Sequence, residues 1–214
     1  MGALMMHVVP QPEWPRPPVG GYTADDLDRL PNLPPHTELI DGSLVLVSPQ
    51  TKFHMRVMRL LEHSLVLAAP DDLEICREMT VRLGPRDRPE PDVLAVHASA
   101  DTGMLQTTYE PADVVLAVEV VSADSEARDR EAKPLKYAAA GIPHFWRVEE
   151  ARGLPVVYVF ELEPARRTYA VTGIYHERLK VAVPFPVEID LTAIDPRRTG
   201  GADAAGGSAP EADA

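Results

Sequence analysis

Asp113-Val-Val-Leu-Ala-Val-Glu119-Val-Val-Ser122 is an apolar run broken by a single carboxylate. A charged segment carrying Lys133 and Lys136 follows, and then a second apolar run, Gly141-Ile-Pro-His-Phe-Trp-Arg-Val148. Upstream, Pro91-Asp92-Val-Leu-Ala-Val96 repeats the pattern with an aspartate at its start. Val93 to His97 and Val114 to Val121 have the near-continuous hydrophobicity of central strands covered on both faces. A glutamate inside such a strand is costly to bury unless it is paired or has a chemical task.

Between the two later runs, Glu126 to Ala140 is expected to be helical, ended by Gly141 and then Pro143. Gly followed by Pro is a common helix stop. Pro134 falls inside the segment, so the helix should kink there or begin near Lys133. Upstream, Thr51 to Ala68 places Met55, Met58, Leu61, Leu65 and Ala68 at three- and four-residue steps, the period of an amphipathic helix. Thr37 to Ile40 and Ser43 to Val47 flank Asp41-Gly42, a favoured type I′ hairpin turn. Thr23 to Leu30 reads as a short helix capped by Thr23 and ended by Pro31, Pro34 and Pro35. Leu73 to Cys76 and Met79 to Leu83 alternate as strands, with a loop at 84–91 and a long polar connection at 98–112. Downstream, His144 to Val148, Pro155 to Leu162, Thr168 to Thr172 and Leu179 to Val183 form strands of an antiparallel meander, and Glu188 to Thr192 reads as a terminal turn.

This order predicts an α/β domain with a mixed central β-sheet flanked by helices and an additional antiparallel β-meander toward the C-terminus. No Gly-rich phosphate loop follows any strand. Residues 1–21, rich in Pro and Gly, are expected to be flexible, residues 22–195 to form the domain, and residues 196–214 to be a disordered tail.

The net charge is −12, which opposes a passive nucleic-acid binder, since phosphate neutralisation draws on Lys and Arg. It opposes an enzyme less, because a bound cation supplies local positive charge. One cysteine, Cys76, excludes an internal disulfide and a cysteine-rich zinc site and fits a reducing compartment. No stretch approaches the roughly 18–20 apolar residues of a membrane span. A soluble, cytoplasmic protein is the expectation.

If their strands are neighbours, Asp92 and Glu119 can converge on one divalent cation, with Lys133 approaching from the following helix. The bland readings are a strand-entry aspartate at Asp92 and a buried ion pair at Glu119. Ser122 lacks a nucleophile elbow, and His63 and His144 lack partners at zinc spacing. Tyr137 and Trp146 read as core, and Arg128 and Arg130 as a salt-bridged helix face or as phosphate contacts.

The segment Glu119-Val-Val-Ser122, Arg128-Asp-Arg130, Lys133, Tyr137, Gly141-Ile-Pro and Phe145-Trp146 resembles the Uma2 family of restriction-endonuclease-like proteins, within the PD-(D/E)XK nuclease superfamily. Pro91-Asp92, Glu38-Leu-Ile-Asp-Gly42 and Ser48-Pro49 followed by His54 match its other motifs in order, over roughly residues 36 to 190. The resemblance implies a restriction-endonuclease-like fold and a Mg²⁺ site, with Mn²⁺ as a substitute. It implies Asp92 and Glu119 as metal ligands, Glu38 as a further acidic site residue, and Lys133 as the catalytic lysine with Lys136 as fallback. The superfamily's Glu-X-Lys would place lysine at 121, where this chain has Val121; the lysine is taken to have moved to the helix.

The function expected is a metal-dependent endonuclease hydrolysing phosphodiester bonds of DNA. The alternative is a non-catalytic nucleic-acid or protein-binding regulatory protein that retains the fold, and a hydrolase of small phosphate esters is a third reading. A homodimer stays open, since nucleases that cut both strands often pair.

Overall fold

The computed structural model describes residues 16–194. Residues 1–15 of the expected N-terminal segment and the expected tail at 196–214 lie outside the described residues. A 3-10 turn at Ala24–Asp28 opens the domain, where the Asp26 carboxylate accepts from the Thr23 backbone N–H (2.7 Å) and hydroxyl (2.8 Å). Strands β1 (Glu38–Ile40) and β2 (Ser43–Val45) form the hairpin. Its two turn residues take positive φ, 52° at Asp41 and 77° at Gly42, as a type I′ turn requires.

Helix α1 (Lys52–Ala68) starts at Thr51, whose hydroxyl oxygen accepts the His54 N–H at 3.2 Å. There follow β3 (Leu73–Arg77), β4 (Thr80–Val81), β5 (Val93–His97), β6 (Thr108–Tyr109) and β7 (Val114–Val120). The connection at 98–112 is not featureless: β6 pairs in parallel with β4. A π-helical turn at Arg128–Ala132 runs into α2 (Lys133–Ala140), so the regular helix begins at Lys133 with Pro134 in its first turn. Proline, which has no N–H to donate, stands where the π turn passes into the regular helix. Gly141, at φ 91°, ends the helix in the left-handed region.

The remaining strands are β8 (His144–Ala151), β9 (Leu154–Glu163), β10 (Thr168–Tyr175), β11 (Arg178–Val181) and β12 (Val187–Asp190). Six strands form one mixed sheet in the order β10-β9-β8-β7-β5-β3. Only β7 and β8 run parallel; every other neighbouring pair is antiparallel. The meander is therefore not a separate sheet: its first three strands extend the central one. Its fourth, β11, leaves to pair with β12, where a terminal turn was expected.

Side chains alternate across this sheet. Val93, Ala95, Leu116, Val118 and Val120 pack toward Val57, Met58, Leu61 and Leu65 of α1 and toward the β11–β12 ribbon. Leu94, Val96 and Ala117 face the opposite layer with Tyr137 of α2, Ile142 and Phe145. The apolar stripe of α1 is rotated from its expected position: Met55 is half-exposed, whereas His54 and Val57 are buried. Among the described residues, no helix is long and apolar enough to cross a membrane.

Candidate functional site

Strand periodicity decides where Glu119 points. It shares its face of β7 with Ala117, toward α2, and its carboxylate is 2 % exposed. Two donors from α2 meet it, one helical turn apart. Tyr137 donates its hydroxyl to Oε1 at 2.5 Å, and Lys133 donates Nζ to Oε2 at 2.9 Å.

Lys133 Nζ also lies 2.8 Å from Glu38 Oε1 and 3.3 Å from Asp129 Oδ1. Glu38 comes from the hairpin strand β1 and accepts the Glu90 N–H at 2.9 Å, which ties the hairpin to the loop entering β5. Asp92 stands at the entry of β5. Its Oδ2 accepts the Val120 N–H at 2.6 Å, and its Oδ1 lies 3.1 Å from His54 Nε2 on α1. All four expected site residues, Asp92, Glu119, Lys133 and Glu38, line one cleft of about 530 Å³ between the hairpin, α1 and the start of α2.

Lys136 is not among them. It pairs with Asp41 at 2.6 Å and Asp87 at 2.8 Å, beside the hairpin turn. Ser122 lines the cleft, and its hydroxyl and backbone N–H are bound to Ser125 Oγ, both at 3.0 Å.

Burial pushes the Glu119 carboxyl well above the usual carboxylate range, and the Lys133 ammonium pulls against that shift. Asp129 is raised for the same reason, again opposed by Lys133. For Lys133 burial works to lower the pKa, but Glu119, Glu38 and Asp129 outweigh it and hold the ammonium well above its ordinary value. Burial, and then the Glu119 charge, raise the Tyr137 phenol far above its usual pKa. Lys133 therefore stays charged throughout the physiological range.

Asp129 and Tyr137 were not singled out from the sequence for this place, whereas His54 stood at a motif position able to face the site. Asp129 lies four residues before Lys133, the spacing of facing helix side chains, and this was its available signal. His54 read as a polar-side residue, yet it lies one turn before the buried Val57 and Met58. Tyr137 is core as expected, but its hydroxyl reaches the carboxylate.

At the mouth, His36 Nδ1 sits 2.5 Å from Glu90 Oε1, with Glu78 at 4.0 Å. Hydrogen bonding to Glu90 raises the His36 pKa, and burial raises that of the Glu90 carboxyl. The cleft lining holds seven carboxylates, Glu38, Glu78, Glu90, Asp92, Glu119, Asp124 and Asp129, against Arg128 and Lys133 as permanent cations. Such a site repels a polyanion unless further positive charge enters with it.

Among solved structures, the fold is similar to the crystal structure of a "putative nuclease belonging to DUF820" from Anabaena variabilis ATCC 29413. The match has a TM-score of 0.57 at 18% identity and covers 76% of this chain and 89% of that one. No curated protein matches the chain. The model of the Uma2 family, described as "Putative restriction endonuclease", matches residues 24–193. That span takes in the hairpin, both long helices, the whole six-stranded sheet and every residue of the cleft, and the chain belongs to the Uma2 family.

Proposed function

We propose that this protein is a metal-dependent endonuclease that hydrolyses phosphodiester bonds of DNA, in the cytoplasm. One observation carries the reading: Asp92, Glu119, Glu38 and Lys133, drawn from four separate elements, converge in a single cleft. Membership of a family described as "Putative restriction endonuclease" supports the same reaction class.

The donor set suits Mg²⁺, with Mn²⁺ as a substitute. Among the described residues, no group of three or more His, Cys, Asp or Glu is arranged to hold a metal by itself. Two carboxylates completed by water and substrate phosphate are a usual Mg²⁺ environment. Each Asp92 and Glu119 oxygen engaged in one hydrogen bond keeps a second lone pair. When bound, the ion polarises a phosphate oxygen and lowers the pKa of a coordinated water.

The chain's own groups supply the rest. Val120 N–H and His54 orient Asp92, and Tyr137 and Lys133 orient Glu119. Glu38 and Asp129 keep Lys133 charged and aimed at the cleft. Its ammonium stabilises the negative charge that builds on the attacked phosphate. In the hydrolysis, a water oxygen bonds to phosphorus, the P–O bond to the leaving strand breaks, and the leaving oxygen gains a proton.

The test is cleavage of supercoiled plasmid and of single-stranded DNA with Mg²⁺, Mn²⁺ or EDTA. The expected result is cutting by wild-type protein with metal, none in EDTA, and none by Asp92→Ala or Glu119→Ala. Cutting in EDTA, or by either variant, contradicts the assignment. Wild-type protein that cuts no nucleic acid and binds no metal supports the non-catalytic reading.

A further inference from the structure

Positive charge near the cleft is almost all committed to carboxylates. Lys133 is shared by Glu38, Glu119 and Asp129. Lys136 is taken by Asp41 and Asp87. Arg130 binds Glu126, and its Nη2 lies 2.5 Å from Glu149. Arg147 stacks over Tyr158, 4.8 Å from the ring centroid, and its Nε lies 2.8 Å from Glu149.

Arg128 is different. It lines the cleft and is half-buried, yet it forms no ion pair among the described residues. Its Nε is buried without a hydrogen-bond partner. This happens in a chain with 33 acidic and 21 basic residues, where carboxylate partners are abundant. Asp124 and Asp129 line the same cleft, and neither pairs with it.

A buried N–H left without an acceptor is unfavourable, and a ligand that brings acceptor oxygens to this guanidinium relieves it. Arg128 opens the π-helical turn, where its C=O accepts the N–H of Lys133, the residue at the centre of the acidic cluster. Single π turns inside helices recur at functional sites. The turn thus places two cations at the cleft: Lys133, held by three carboxylates, and Arg128, paired with none among the described residues. A guanidinium fork matches phosphate oxygens in a bidentate fashion.

We propose that Arg128 is a phosphate-binding residue, donating to the non-bridging oxygens of a backbone phosphate of the nucleic-acid strand in the cleft. This rests on the nuclease reading above. The bulk of the molecule is acidic, so this contact would supply a large part of the electrostatic attraction that comes from the protein itself.

The test compares wild-type protein with Arg128→Gln, Arg128→Lys and Arg130→Ala, measuring kcat and KM for plasmid cleavage with Mg²⁺ at several salt concentrations. Arg128→Gln should raise KM by about ten- to hundredfold, as expected for loss of a charged hydrogen bond. The slope of log(1/KM) against log salt should flatten by about 0.7–0.9, one phosphate contact's worth. Arg128→Lys should regain the slope but only part of the affinity, since it keeps the charge and loses the fork. Arg130→Ala should leave both near wild type. A purely structural role would lower Tm and kcat without moving the salt slope. If wild-type protein cuts while Arg128→Gln keeps its KM and slope, the Arg128 assignment falls and the nuclease reading stands. If wild-type protein does not cut DNA, the nuclease reading falls and the Arg128 assignment with it.

Discussion

Replacing Lys133 with methionine tests the acidic cluster through stability, independently of any substrate. The side chain keeps its length and apolar stem, so the variant removes a charge without opening a large cavity. What remains is Glu38, Glu119 and Asp129, each no more than 3 % exposed, with no cation between them. Removing one partner of a buried pair costs about 3–5 kcal/mol. For a domain of this size that corresponds to a fall in Tm of about 6–20 °C.

The penalty depends on pH, and its sign follows from protons bound. In the variant, the buried carboxyls lose the ammonium that lowered their pKa values, so Glu119 and Asp129 rise further above the unfolded range. Near neutral pH the folded state then holds more protons than the unfolded one. Stability falls as pH rises in that condition, and the contribution is lost as pH passes through the raised folded-state values. Thermal melts of Lys133→Met in EDTA should therefore lie closer to wild type at pH 5.5 than at pH 8. Adding Glu119→Gln should recover part of the loss. A Lys133→Met protein with wild-type Tm at pH 8, or with a deficit that grows on acidification, would refute this account of the cluster.

Other predictions concern the frame around the site. Leu61→Ala, at a fully buried position between α1 and the sheet, should cost about 2–5 kcal/mol in urea unfolding, from lost burial and the cavity left behind. Gly141→Ala should cost about 1–2 kcal/mol: the residue sits at φ 91° with nothing within 4 Å of an added Cβ, so the penalty is confined to the backbone. Burial holds the His144 pKa below 6.5, against a smaller opposing pull from Glu161, so the unfolded chain takes up the proton first. This residue's contribution is thus fully present above pH 6.5 and lost as pH falls through the unfolded value. Tm curves of His144→Asn should accordingly be flatter than wild type between pH 7.5 and 5.5, and an unchanged curve would remove His144 from the acid response.

Local signals carried much of the fold because their causes are local. Asp41-Gly42 forms its turn since both residues tolerate positive φ. Thr51 caps α1 through a bond to its own third neighbour. Pro134 and Gly141 bound α2 by what they do to adjacent backbone groups. The apolar runs of β5 and β7 are buried on both faces, as their composition demands. The one carboxylate inside β7 was conspicuous for the same reason.

Most element types, the turn and cap chemistry, and the pool of acidic residues and lysines for a site were legible in the chain. Which of them meet was set by packing between distant segments. Strand pairing joined the meander to the central sheet and sent β11 to β12, because backbone hydrogen bonding between distant segments leaves no local trace. A small rotation of α1, within what its apolar pattern allows, exposed Met55 and brought His54 to Asp92. Of two lysines three residues apart, packing turned Lys133 to Glu119 and left Lys136 to Asp41 and Asp87. Asp129 joined the cluster, and Arg128 beside it stayed unpaired among the described residues, because the direction of a helical side chain is set by what its helix packs against.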